Sequence, residues 1–142
     1  MTAIALAAWL QALPVRPCSA STARVVARVA LRVAPRYRVP VKLLALVACL
    51  ESRGRKGVVY VNRNGSCDVG RWQVNCHRCS PQCRERYTPD LRSAGRAARI
   101  LALGWSICKR KGAWYCPKRW WCRFNPGSKR WCTWATLMWR TR

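Results

Sequence analysis

Residues 40–75, PVKLLALVACLESRGRKGVVYVNRNGSCDVGRWQVN, decide how this chain is read. The first part is apolar on nearly every side, through Val41, Leu43, Leu44, Leu46, Val47, Cys49 and Leu50. Such a run predicts a buried helix of about three turns, with Pro40 suited to its first turn. Glu51 ends it, in line with Leu44 and below Val47 and Ala48, so the carboxyl shares their apolar face. Desolvation there disfavours the charged form and is expected to raise its pKa. An environment of that kind keeps an acid protonated near neutral pH.

The period then changes. Val58, Val59, Tyr60 and Val61 are β-branched or aromatic and read as a strand. Residues 62–66, NRNGS, contain Asn64-Gly65, a strong hairpin-turn signal because both residues tolerate positive φ. A second strand is expected over Cys67 to Asn75, carrying Asp68. The helix and the hairpin thus bring one carboxylate each to a common region. Two carboxylates in unlike surroundings are what cleavage of a glycosidic bond requires.

Outside this block the composition narrows the field. The chain has 142 residues, enough for one domain with a modest core. It carries 28 basic and 4 acidic residues, a net charge of +24, which points to a polyanionic partner: cell wall, membrane surface or nucleic acid. No helix-turn-helix, zinc-finger or RNA-recognition signature accompanies the charge, so no specific nucleic acid is expected. Ten cysteines in so short a chain indicate disulfides and an oxidising compartment, secreted or periplasmic.

Thr2 to Leu13 is apolar but too short to span a bilayer. With the small residues at Ser19-Ala20 and Ser21-Thr22-Ala23, residues 1–22 read as a candidate signal peptide. The absence of Lys or Arg ahead of the apolar run leaves a retained N-terminal helix as the alternative. Residues 23–142 then form the domain. Ala23 to Ala34 alternates Arg with apolar residues and admits a helix or a strand; length favours a helix, ended by Pro35.

Cys76-His77-Arg78-Cys79 and Cys83 form a tight cluster. Zinc is the sharper reading, but structural zinc sites bring two ligand pairs at larger separation, so a disulfide-stapled loop is preferred and neither metal nor cofactor is expected. Thr88-Pro89-Asp90 reads as a helix start with Thr88 as N-cap. Leu91, Ala94, Ala97, Ala98 and Leu101 recur at helical spacing up to a closing Gly104. Beyond Lys109 basic residues interleave with aromatics and there is no acid. Ser128 caps an expected last helix bearing Trp131, Trp134, Ala135 and Met138, while Trp120 and Trp121 could stack on sugar rings. Arg and Trp on one surface also suit interfacial membrane contact.

The string ES…NRNGSCDVGRWQVN resembles the lysozyme-like superfamily, in particular the small soluble lytic transglycosylases associated with secretion and conjugation machines. Its Glu51-to-Asp68 spacing is also similar to animal-type lysozymes. Tyr37-x-Val39-Pro40, Pro89-Asp90 and Asn125-Pro126-Gly127 extend the likeness over about Ala23 to Trp139.

The resemblance implies a mainly α (α+β) lysozyme-like fold, with a small β-hairpin beside the catalytic helix. It implies Glu51 as general acid and base, with Asp68 supporting the charged intermediate if the enzyme hydrolyses. It also implies Ser52, Trp72, Gln73, Asn75, Phe124 and Asn125 as substrate contacts, Asn75 equally suiting a strand-end role. Trp72 stands where the family carries Met, Arg71 where it has Leu and Phe124 where it has Tyr, giving a bulkier, more basic cleft wall. A backbone-binding role for Asp68 just after the turn is the alternative to a cleft-facing one.

The leading expectation is a monomeric murein lytic transglycosylase acting on glycan strands, carried by a secretion or conjugation apparatus or a phage particle. A hydrolysing lysozyme and a cationic wall- or membrane-binding antimicrobial protein are the alternatives.

Overall fold

The computed structural model describes residues 1–13 and 18–111. The Trp-rich basic segment, with Trp120, Trp121, Phe124, Asn125-Pro126-Gly127 and the helix expected after Ser128, lies outside them. The chain divides into two compact units, residues 1–99 and 100–142. Five helices and a three-stranded antiparallel sheet are described: α1 (Ala3–Ala12), α2 (Ala20–Tyr37), α3 (Val41–Ser52), β1 (Val59–Val61), β2 (Cys67–Val69), β3 (Val74–Cys76), α4 (Pro81–Tyr87) and α5 (Asp90–Lys111). None of these helices is long and apolar enough to cross a membrane.

The apolar N-terminal run is a helix that packs on α2, with Thr2 accepting the Ala5 N–H as its N-cap and Leu6 and Leu10 fully buried. The Lys42 ammonium at the start of α3 lies 5.1 Å from the Trp9 ring centroid, a cation–π contact. A disulfide between Cys18 and Cys49 ties the segment between α1 and α2 to the middle of α3. Residues 1–22, read above as a candidate leader, therefore supply a core face and half of a disulfide.

In α2 the alternation of Arg with apolar residues resolves as a helix, burying Ala23, Val26, Ala27, Ala30, Val33 and Ala34. Pro35 was expected to end it; α2 runs on to Tyr37. A proline in the last turn removes a single backbone bond, and the stop is set instead by Arg38. That residue adopts left-handed backbone (φ 55°) and donates its N–H to the Ala34 and Pro35 carbonyls. As the sequence indicated, α3 is buried all round, from Leu43 through Cys49.

The hairpin forms at Asn64-Gly65, but only Gly65 has positive φ (79°). The Gly65 N–H returns to the Asn62 carbonyl at 3.1 Å, and the Asn62 N–H pairs with the Ser66 carbonyl at 2.9 Å. These bonds make a three-residue loop with glycine in the left-handed position, the next commonest hairpin connection after the two-residue one.

The second strand expected over Cys67 to Asn75 is split. It leaves β2 after Val69, turns through Gly70–Gln73 and returns as β3. Gly70 has φ +77°, and a Cβ there would sit 2.4 Å from the Tyr87 carbonyl oxygen. Replacing Gly70 with alanine is expected to cost roughly 3 kcal/mol of stability, from left-handed strain plus overpacking against backbone. A urea unfolding curve with an unchanged slope and a lower midpoint measures it.

The cysteine cluster is stapled by Cys67–Cys79 and Cys76–Cys83. These sulfurs join Val69 and Tyr87 in a small core under one face of the sheet. His77 is exposed, and no group of three potential metal ligands occurs among the described residues. Within the stapled stretch lies α4, opened by Ser80 as N-cap and Pro81, a pairing favoured at helix starts.

Thr88 was expected to cap α5. It closes α4 instead, its hydroxyl donating to the Arg84 carbonyl at 2.7 Å. Gly104 does not end α5, which continues to Lys111. Ala94, Ala97, Ala98 and Leu101 are buried, whereas Leu91 is 44% exposed.

Candidate active site

Glu51 occupies the last turn of α3 and is half-buried, one turn beyond the fully buried Val47 and Ala48. Three interactions hold that helix and the segment leaving it against the Gly70–Gln73 turn, two at its end and one near its start. Ser52 Oγ lies 2.7 Å from the Arg71 carbonyl and 3.1 Å from that of Ala48. The Arg71 guanidinium reaches the Gly54 carbonyl through Nη1. The Trp72 indole N–H donates to the Leu44 carbonyl at 2.8 Å. Arg53 and Gly54 then take left-handed backbone, and both N–H groups return to the Ala48 carbonyl, stopping α3 just past Glu51. The carboxyl is thus carried on a rigid element whose end is locked to the sheet.

Ser52 and Trp72 were expected to line the cleft; the structure places both in the interior. Ser52 is 3% exposed and its hydroxyl is engaged by backbone carbonyls. Trp72 is 2% exposed. Burying an indole contributes roughly 4–6 kcal/mol of gross transfer free energy, so packing decides its position. Arg71, expected to make the cleft wall more basic, is buried as well. Its Nε and Nη2 contact the two carboxylate oxygens of Asp90 at 3.0 and 3.2 Å. The one sign in the pattern of a turn that folds these side chains inward is Gly70, an isolated glycine inside a strand pattern.

Asp68 lies on the open face of the sheet. Its cross-strand neighbours are Tyr60 on β1 and Asn75 on β3, while Cys67 and Val69 point to the sulfur-rich core. Both carboxylate oxygens accept amide hydrogens, Oδ1 from Asn75 at 2.8 Å and Oδ2 from Asn62 at 3.2 Å. Asn62 also donates to Ser66 Oγ, which donates to Asn64 Oδ1 at 2.7 Å. Asp68 is therefore the hub of a polar network that spans the hairpin turn and strands β2 and β3. Asn75 is part of it, in the strand-shaping position considered above.

Gln73, expected to meet substrate, adopts positive φ (47°) and donates its amide to the Gly70 and Val58 carbonyls at 2.8 and 3.3 Å. Phe124 and Asn125 lie outside the described residues. The fold places Glu51 on a locked helix end and gives Asp68 amide support on the sheet, with Ser52, Arg71, Trp72 and Gln73 turned to the framework around the Gly70–Gln73 turn.

Comparison of this chain with family models, curated proteins and solved structures found no match.

Proposed function

We propose that this protein is a peptidoglycan-cleaving lytic transglycosylase of lysozyme-like fold, with Glu51 as its acid and base. The observation that carries the reading is the half-buried Glu51 carboxyl at the end of an apolar helix, held by Ser52, Arg71 and Trp72 against the strand turn. In this reading Glu51 donates its proton to the glycosidic oxygen between N-acetylmuramic acid and N-acetylglucosamine, and the bond breaks toward an oxocarbenium-like centre. The resulting Glu51 carboxylate takes the proton of the same sugar's 6-hydroxyl, whose oxygen bonds to C1. The product is a 1,6-anhydro sugar, Glu51 is again protonated and no water is consumed.

The network around Asp68 favours this route over hydrolysis. Each of its oxygens accepts one amide hydrogen, from Asn62 or Asn75, which suits a carboxylate that organises the hairpin, and intramolecular attack needs only one catalytic acid. The charge of +24 suits an anionic wall, where long-range attraction speeds encounter. The three disulfides among the described residues suit an oxidising, extracytoplasmic setting.

Mass spectrometry of fragments released from purified peptidoglycan tests the assignment. Termini of 1,6-anhydro-muramic acid support it; reducing ends indicate a lysozyme; no fragments from the oxidised protein remove the enzymatic reading and leave a cationic wall-binding protein. Asp68→Asn sharpens the choice. Transglycosylation is expected to slow by less than about tenfold, with about 1 kcal/mol of stability lost as one amide contact turns donor-to-donor. If Asp68 is the second catalytic carboxylate, the loss reaches about 10²-fold or more.

A further inference from the structure

A groove of about 590 Å³ opens between the end of α2, the end of α4 and the first half of α5. It is lined by Tyr37, Arg86, Tyr87, Leu91, Gly95 and three arginines of α5, Arg92, Arg96 and Arg99. All four arginines are exposed. No Asp or Glu is among the residues that line the groove. On α5 the three arginines fall at i, i+4 and i+7, successive rises of about 6 and about 4.5 Å along one face. Such a ladder of cations matches a chain of repeated anions better than a single ion, and a guanidinium fork suits phosphate in particular.

Gly95 forms the floor. A Cβ there would lie 3.3 Å from the Tyr37 hydroxyl, and glycine inside a helix costs about 0.5–1 kcal/mol relative to alanine. That cost goes with the close approach of Tyr37 to α5 beneath the arginines.

We propose that this groove binds an anionic phosphodiester polymer of the cell envelope, of the polyol-phosphate kind, and holds the enzyme on its substrate wall. The proposal rests on the wall-acting reading above. The competing polyanion is single-stranded nucleic acid, whose sites present aromatic faces for base stacking. Here the two lining tyrosines are half-buried and each has a neighbour within the fold. Tyr87 packs on the cystine core and carries the Arg86 guanidinium 5.7 Å from its ring centroid, and Tyr37 lies against Gly95. Four exposed guanidinium groups outnumber these two half-buried rings, a balance that fits a polymer of phosphates without bases. The volume suits a stretch of single chain.

Binding of synthetic poly(glycerol phosphate) at low salt, measured by calorimetry on full-length protein bearing Glu51→Gln, separates this proposal from catalysis. The groove variant is Arg92→Gln/Arg96→Gln/Arg99→Gln. The control, Arg24→Gln/Arg28→Gln/Arg32→Gln, removes the same charge from exposed positions on α2. The groove variant is expected to bind at least about tenfold more weakly, with the slope of log affinity against log salt shallower by about 2, while the control stays close to the parent. Equal losses in both variants mean that net charge alone binds the polymer and overturn the site. A larger groove-dependent loss for a charge-matched oligothymidylate overturns the assignment to a wall polymer. Cleavage of peptidoglycan stripped of anionic polymer reads the Glu51 mechanism separately, and the three groove substitutions made with Glu51 intact are expected to retain it.

Discussion

Replacing Glu51 with glutamine is expected to lower fragment release from purified peptidoglycan by about 10³-fold, within the range contributed by a positioned general acid and base. The substitution keeps the shape of the side chain and removes the transferable proton. The end of α3 is fastened through Ser52 and Gly54 and its first turn through Leu44, and these three bonds do not use the Glu51 carboxyl. The variant should therefore melt within a few degrees of wild type and still sediment with insoluble wall. Activity lost together with folding would say that Glu51 is structural. Activity retained within about tenfold would remove it from the chemistry, because no positioned acid is worth so little. Bacterial killing that survives the substitution while fragment release is lost would assign killing to the cationic surface alone.

How far the sequence was legible follows the range over which each signal acts. The buried helix, the first strand and the turn at Asn64-Gly65 are written in neighbouring residues, and each forms close to where its pattern lies. The strand expected through Asn75 was overextended. Gly70 is an isolated glycine inside a strand pattern, a sign of a bulge or close backbone approach, and here it marks the turn that draws Arg71 and Trp72 inward. Ser80-Pro81 carried a helix-start signal for α4 that the surrounding cysteines obscured, and pairing among cysteines has no local signature. The burial of Arg71 was beyond sequence reasoning because its partner Asp90 stands 19 residues away. A helical face was legible in Ala94, Ala97, Ala98 and Leu101. The arginine ladder on the same helix becomes a groove only when Tyr37 and α4 supply its other walls.

The Arg71–Asp90 pair gives the largest expected effect on stability. The side chains of Arg71 and Asp90 are 7% and 18% exposed, and the guanidinium meets the carboxylate in a two-point contact while also reaching the Gly54 carbonyl. One residue thus joins the strand turn, the first turn of α5 and the segment leaving α3. Asp90→Ala strands a guanidinium in the interior and is expected to cost about 3–5 kcal/mol, a large share of the 5–15 kcal/mol that typically separates folded from unfolded protein. It also loosens the turn that locks the Glu51 helix, so fragment release should fall along with stability. Replacing both partners, as Arg71→Met/Asp90→Leu, removes the desolvated charge. It gives up only a donor to Gly54 and an acid in the first turn of α5, so the double variant should lose about 1–2 kcal/mol, less than Asp90→Ala alone. Urea unfolding of the wild type, each single variant and the double closes the thermodynamic cycle. A double variant more stable than Asp90→Ala identifies the lone buried charge as the source of the damage. Additive losses would show instead that each side chain contributes independently, and the pair would then have no special part in fastening the sheet to the helix that carries Glu51.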